Sequence, residues 1–302
     1  MSRKGPGLLL RDILRGDDPQ ITAVIDMLAD VDADIITLQG FDYDLDGLAL
    51  TAFAAALAQA GADYPYRFAA TQNAGLMTEL DLDADGKTGG PRDAQGYGRF
   101  FGHGAMALLS RHEIITPEVQ DFSTMLWRDL PNNLYPTTPT GPFAGNEVHA
   151  AQRLSSNGHW VVPIRHPDLG RLHVMTFHAT PPVFDGPEDR NGRRNHDEVS
   201  FWTHYLDGAF TAPPQEKFVL MGDANLDPTK GDGRGEAMTR LLDDTRVQDP
   251  LADLPTVLWE QTGPMRVDYV LPSADWKVTG AQVMPANPDA SRHQLVWVDL
   301  TR

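Results

Sequence analysis

Apolar runs that stop abruptly at a polar residue constrain this chain more than any other feature. Residues 218–223 read Phe-Val-Leu-Met-Gly-Asp and continue into Ala-Asn-Leu-Asp-Pro. A run of that length suits a buried strand and is short for a buried helix. The same form recurs at 34–39 (DIITLQ), 105–110 (AMALLS), 159–164 (HWVVPI), 172–178 (LHVMTFH), 266–271 (RVDYVL) and 294–300 (QLVWVDL), with a shorter candidate at 66–70 (YRFAA). Residues 21–31 place Ile21, Val24, Ile25, Leu28 and Val31 at helical spacing, and 48–61 is an Ala- and Leu-rich helix stopped by Gly61. The second half of 190–208 is predicted helical. Strands alternate with helices early and follow one another later, which predicts an α/β protein with mixed or antiparallel sheets. Residues 72–103 and 124–158, rich in Gly, Pro, Asn and Ser, read as loops, the first long enough to carry function.

With 302 residues, no internal repeat and no long linker, the chain reads as a single domain over 1–302. Its formal charge of −17 disfavours nucleic-acid partners, whose phosphates require clustered Lys and Arg. Cysteine is absent, which excludes disulfides, thiolate catalysis and cysteine-bound zinc. No stretch approaches the ~20 apolar residues of a membrane helix, and "LLL" at 8–10 is too short for the core of a signal peptide.

Chemistry concentrates at the strand ends. A rigid sheet aims Asp223 and Asn225 into a cleft, although an Asx turn capping its own backbone would use the same residues. LHVMTFH ends on His178, RVDYVL carries Asp268 among apolar neighbours, and His293 stands before the last strand. A carboxylate in an apolar strand needs a partner. Histidine is a natural one, since an Asp–His pair fixes the tautomer and stabilises the imidazolium.

His178, Asp223, Asn225, Asp268 and His293, in this order at strand ends, resemble the endonuclease/exonuclease/phosphatase superfamily of deoxyribonuclease I-like nucleases, sphingomyelinases and inositol polyphosphate phosphatases. ADIITLQGFD is similar to that family's early strand ending Leu-Gln-Glu. GHGAMALLSRHEI, MTFHAT, LMGDANLDP, RVDYVL and SRH are similar to its later motifs. The resemblance implies two packed mixed or antiparallel sheets flanked by helices, a four-layer α/β/β/α sandwich. It also implies metal-assisted phosphoester hydrolysis. Asp223 would orient the attacking water, His178 and Asn225 would contact phosphoryl oxygens, and Asp268 would pair with His293.

Three positions depart from the family. Gly40 stands where its metal-binding Glu is expected. Arg292 replaces the Asp before the last His. The family's first strand, ending in Asn, is not found, and Met1 to Arg11 resembles the sequence that follows it. Arg292 is expected to take over part of the cation's task at the phosphate, with Arg194 or Arg193 on the rim as a further phosphate contact. Replacement metal ligands are expected at Asp42 and Asp44, in FDYDLDG, where Asp46 could instead cap the following helix. A calcium-type loop is expected at Asp81, Asp83 and Asp85, in DLDADG. The expected cofactor is thus a divalent metal, Mg²⁺ or Ca²⁺. The expected substrate is a small or lipid-like phosphoester, with a nuclease of the same family and a silent calcium-binding module as alternatives. Acidity, calcium-type loops and the lack of Cys point to the periplasm or the cell exterior, although no export signal is visible.

Overall fold

Period-two alternation in the strands divides the protein into layers. The computed structural model describes all 302 residues. Helices α1 (Leu8–Arg15) and α2 (Pro19–Val31) precede β1 (Ile35–Phe41), and α3 (Leu48–Gln59), β2 (Tyr66–Phe68) and β3 (Ala105–Ser110) follow. The short elements β4 (Glu113–Ile114), β5 (Gln120–Asp121), β6 (Thr137–Thr138), β7 (Gly141–Pro142) and α4 (Asn146–Ala151) lead to a hairpin of β8 (His159–His166) and β9 (Gly170–His178). Then come α5 (Arg190–Leu206), β10 (Phe218–Asp223), α6 (Glu236–Leu242), β11 (Val257–Trp259), β12 (Gly263–Met265), β13 (Asp268–Pro272), β14 (Lys277–Val283) and β15 (Val296–Thr301).

One sheet runs β1-β3-β2; the larger runs β13-β10-β9-β8-β4, with β5 also on β8. Only β9 and β10 pair in parallel within it, so this sheet is mixed. On β3, Ala107 and Leu109 face α1–α3, while Met106 and Leu108 face the second sheet. On β9, Leu172 and Val174 join that middle layer, while Met175 and Phe177 pack under α5 and α6. Alternate side chains of one strand thus feed two cores, and the result is the expected four-layer α/β/β/α sandwich.

Most predicted elements stand within a residue or two of their expected bounds. α1 was not foreseen; its eight residues carry Leu9 and Ile13 into the core under α3. α2 begins at Pro19, with Asp18 capping the Ile21 amide at 2.9 Å. α5 is helical from Arg190, a full turn and more before the expected start, because Arg190, Arg194 and Glu198 repeat every fourth residue and all face inward.

Candidate active site

Strand register builds the site. In the parallel β9–β10 pair Asp223 lies beside His178, and in the antiparallel β10–β13 pair it lies beside Asp268. Three neighbouring strand ends therefore set His178, Asp223 and Asp268 in one row. Gly222 keeps the row tight, since a Cβ there would meet the Phe177 carbonyl oxygen at 2.1 Å. His293 enters from the segment before β15, held by a bridge to Val257. Its Nδ1 lies 2.9 and 3.1 Å from the two Asp268 carboxylate oxygens and 3.8 Å from Asp223. His178 Nε2 reaches Asp223 Oδ2 at 3.4 Å. Asn225, at φ 48°, donates its backbone N–H to Asp223 Oδ1 at 2.8 Å and its side-chain amide to the Ala179 carbonyl at 2.9 Å. The Asx turn and the strand-end acid are thus one feature: the turn fixes the carboxylate it is built on.

Burial separates the titrations. Burial, then the neighbouring Asp268, pushes the Asp223 carboxyl up to about 7. Burial pulls the His293 imidazole down, but Asp268 and then Asp223 outweigh it and push its pKa up to about 9. Burial, reinforced by the charge on His293, pushes His178 down to about 4. Near neutral pH the row therefore holds a neutral His178, a carboxyl poised to exchange a proton and an imidazolium on Asp268. With Nδ1 on Asp268, the Nε2–H of His293 is the one left for a substrate. Trp259 meets the His293 ring edge-on at 5.6 Å.

A buried polar network behind the row was not predicted. Glu198 accepts the Ser156 amide at 2.5 Å, the Ser156 hydroxyl at 2.8 Å and the Thr180 amide at 2.7 Å. Asn195 donates to the carbonyls of Thr180 and Ala224, at 2.7 and 2.8 Å. These contacts tie to α5 the turn that follows His178 at the end of β9 and the turn after β10 that carries Asn225. His159, pushed down to about 4 by burial, sits on the Glu198 carbonyl at 2.8 Å. The sequence signal was present in the four-residue spacing of Arg190, Arg194 and Glu198, but the charge density of RNGRRNHDE reads as a solvated face.

Several expected residues lie elsewhere. Arg194 is not on the rim: it is 3% exposed, and its guanidinium donates to the carbonyls of Leu154, Gln95, Arg153 and Ser155. Its burial follows from its place on the inward face of α5. Arg292 is exposed and stacks on Trp259, 5.1 Å from the ring centroid, with no carboxylate partner. Asp42 accepts the amides of Arg3 and Gly104 at 2.7 and 2.8 Å. Asp44, and not Asp46, caps α3 by accepting from Leu48 and Ala49. Both carboxylates therefore serve the backbone. In the 81–93 loop Asp81 and Asp83 converge with Asp93, their ligand atoms within 4.8 Å of one another, while Asp85 turns to the Lys87 amide. Asp81 closes the loop on the amides of Asp85 and Gly86, and Asp93 on those of Leu82 and Gly90.

The profile of the Endonuclease/Exonuclease/phosphatase family matches residues 11–293, and the chain belongs to that family. An endonuclease/exonuclease/phosphatase from Beutenbergia cavernae superposes with a TM-score of 0.59 at 20% identity, over 94% of this chain and 66% of that one. This chain thus spans just under two thirds of that protein's length. A family protein from Leptotrichia buccalis gives a TM-score of 0.55 at 16% identity, over 96% and 94% of the two chains. At such identities the likeness is one of fold. No curated protein matches the sequence.

The divalent metal implied by the family does not fit its usual position here. Gly40 brings no side chain, and its carbonyl accepts from the Met1 amine. The acid pair fits better: Asp223 and Asp268 offer carboxylate oxygens within 4.8 Å of each other, and two carboxylates suit a hard cation that also takes phosphate oxygens. A cation there would relieve the repulsion between the two carboxyls.

Proposed function

We propose that this protein hydrolyses phosphoesters, on a small or lipid-like substrate, in the cleft above His178, Asp223 and Asp268. The observation that carries the reading is the geometry of the row: Asp223 stands in register between His178, 3.4 Å away, and Asp268, whose carboxylate holds His293 Nδ1 at 2.9 Å. Asp223 takes the proton of a water as its oxygen attacks phosphorus. His293, held by Asp268, gives its Nε2 proton to the departing oxygen as the P–O bond breaks. Neutral His178 and the Asn225 side chain face the phosphoryl oxygens. A divalent ion on Asp223 and Asp268 would supply positive charge to those oxygens. The net charge of −17 supports a small or lipid-like substrate over a polynucleotide.

The test is hydrolysis of bis-p-nitrophenyl phosphate and p-nitrophenyl phosphate with Mg²⁺, Mn²⁺, Ca²⁺ or EDTA. Metal-stimulated turnover is expected; no turnover under any of these conditions would overturn the reading. Arg292, beside His293 in sequence and bearing a free guanidinium on Trp259, is the rim cation for the phosphate. Arg292→Ala is expected to raise KM about 10-fold, the scale of one charge-assisted hydrogen bond, with kcat little changed. An unchanged KM would remove Arg292 from the site.

A further inference from the structure

Asp268 and His293 meet at 2.9 Å but stand on different supports. Asp268 opens β13, inside the larger sheet, whereas His293 precedes β15, which pairs only with β14. A proton donor must be held in place closely, since a displacement of about 1 Å costs much of its effect. Contact between the two side chains does not supply that. Each can follow the other by rotation about its own bonds, so the pair could stay closed while the imidazole drifts. Holding the ring in place requires that the two stretches of main chain be fastened to each other.

The fastening passes through one residue. Thr256 is 1% exposed and lies immediately before β11. Its hydroxyl oxygen accepts the backbone N–H groups of Val267 and Asp268, both at 3.1 Å. Its carbonyl accepts the N–H of Gln294, the residue after His293, at 2.8 Å. Its own N–H donates to the Met265 carbonyl at 2.8 Å. Val257 continues the contact as a β-bridge to His293. The side chain of Thr256 thus ends on the main chain of Asp268, and its main chain ends on the main chain beside His293. Two amides occupy both lone pairs of the hydroxyl oxygen. Branching at Cβ restricts χ1 and so fixes where that oxygen stands. Val257, Met265 and Val267 form a small apolar cluster of their own, with Trp259 packed against it. The cluster lies outside the three cores between the layers, and what it seats is the β11–β12 hairpin.

We propose that Thr256 is the positioning residue of the Asp268–His293 pair. Its hydroxyl fixes the start of β13 against the segment that delivers His293, and so keeps the Nε2–H of His293 on line with the departing oxygen. The inference rests on the reading of His293 as the proton donor. Thr256 itself carries no proton in the reaction.

The test separates leaving groups. The nitro group of bis-p-nitrophenyl phosphate lets its phenoxide depart with little help from an acid, whereas diphenyl phosphate, a diester of similar shape, needs the proton. Thr256→Val keeps the volume and removes the acceptor. It is expected to lower kcat on diphenyl phosphate by about 10²-fold with KM unchanged, and kcat on bis-p-nitrophenyl phosphate by no more than about threefold. Thr256→Ser, which returns the oxygen, should restore both. His293→Ala, measured alongside, should show the same split between substrates. Amide hydrogen exchange followed by NMR gives a readout free of turnover. In Thr256→Val the amides of Asp268 and Gln294 should both exchange faster, although the carbonyl that Gln294 uses is still present, while those of β9 and β10 stay slow.

Equal losses on the two substrates in His293→Ala overturn the proton-donor reading and this inference with it. The split in His293→Ala without a split in Thr256→Val overturns this inference alone. So does a Gln294 amide that stays slow once the hydroxyl is gone, and this exchange decides by itself if diphenyl phosphate is turned over too slowly to measure. Should Thr256→Val not fold, Thr256→Ala takes its place. Failure of both to fold marks a residue that the whole fold requires and overturns the positioning role.

Discussion

Asp223→Asn is expected to lower kcat/KM on bis-p-nitrophenyl phosphate by about 10²–10⁴-fold, the contribution of one positioned proton acceptor. In EDTA, with no cation on the acid pair, turnover of the parent should follow a bell-shaped pH profile, rising through about 7 as Asp223 ionises and falling through about 9 as His293 loses its proton, and added metal should move the rising limb to lower pH. The variant should lose the rising limb. Its stability should move the other way. The folded-state pKa of Asp223 is raised from 3.8 to about 7, so the folded protein holds that proton more tightly than the unfolded chain does. The resulting stabilisation is present at low pH and is lost as pH rises through 7. At pH 8 the parent carries a buried carboxylate that the variant lacks, and the variant should melt at or above the parent. A variant melting well below it at pH 8 would mean that the lost activity reports damage to the fold.

Glu198→Ala should have the largest effect on stability. It leaves the amides of Ser156 and Thr180 without an acceptor and removes the carboxylate whose charge offsets the burial of the Arg194 guanidinium. Stripping one partner from buried charges costs about 3–5 kcal/mol, which corresponds to a drop of roughly 10 °C in melting temperature. Glu198→Gln keeps the shape and one acceptor oxygen and should cost about 1–3 kcal/mol. Thermal melts of the two variants check the order; equal losses would show that shape, and not charge, sets the contribution of this side chain.

The legible part of the fold was the part with a simple period. β3, β9 and β10 could be read from apolar runs because each is buried on both faces, and the strand-end residues were legible because a rigid sheet has to aim them somewhere. What the sequence hid depends on pairing across the chain. Nothing in RVDYVL or FVLMGD says that Asp268 and Asp223 share a register; that follows from which strands are neighbours. Arg194 read as a rim cation because charge density looks alike whether a helix turns it toward solvent or toward carbonyls. Asp42 and Asp44 read as metal ligands because the calcium-type spacing is also the spacing of side chains that hold backbone amides. The third acid that meets Asp81 and Asp83 is not Asp85 but Asp93, brought there by chain reversal and not by the Asp-x-Asp-x-Asp repeat.

The division of the row between supports has a consequence for how activity fails. His178, Asp223 and Asp268 ride on one continuous ladder, whereas His293 is delivered by the β14–β15 hairpin, which shares no ladder with it. On the proposed reading, hydrolysis would report whether the hairpin sits against the β13-β10-β9-β8-β4 sheet. Under mild denaturant the hairpin can lift away while the ladder under α5 stays closed, so turnover should vanish at a lower urea concentration than the one that shifts the fluorescence of the buried Trp127, Trp160 and Trp202.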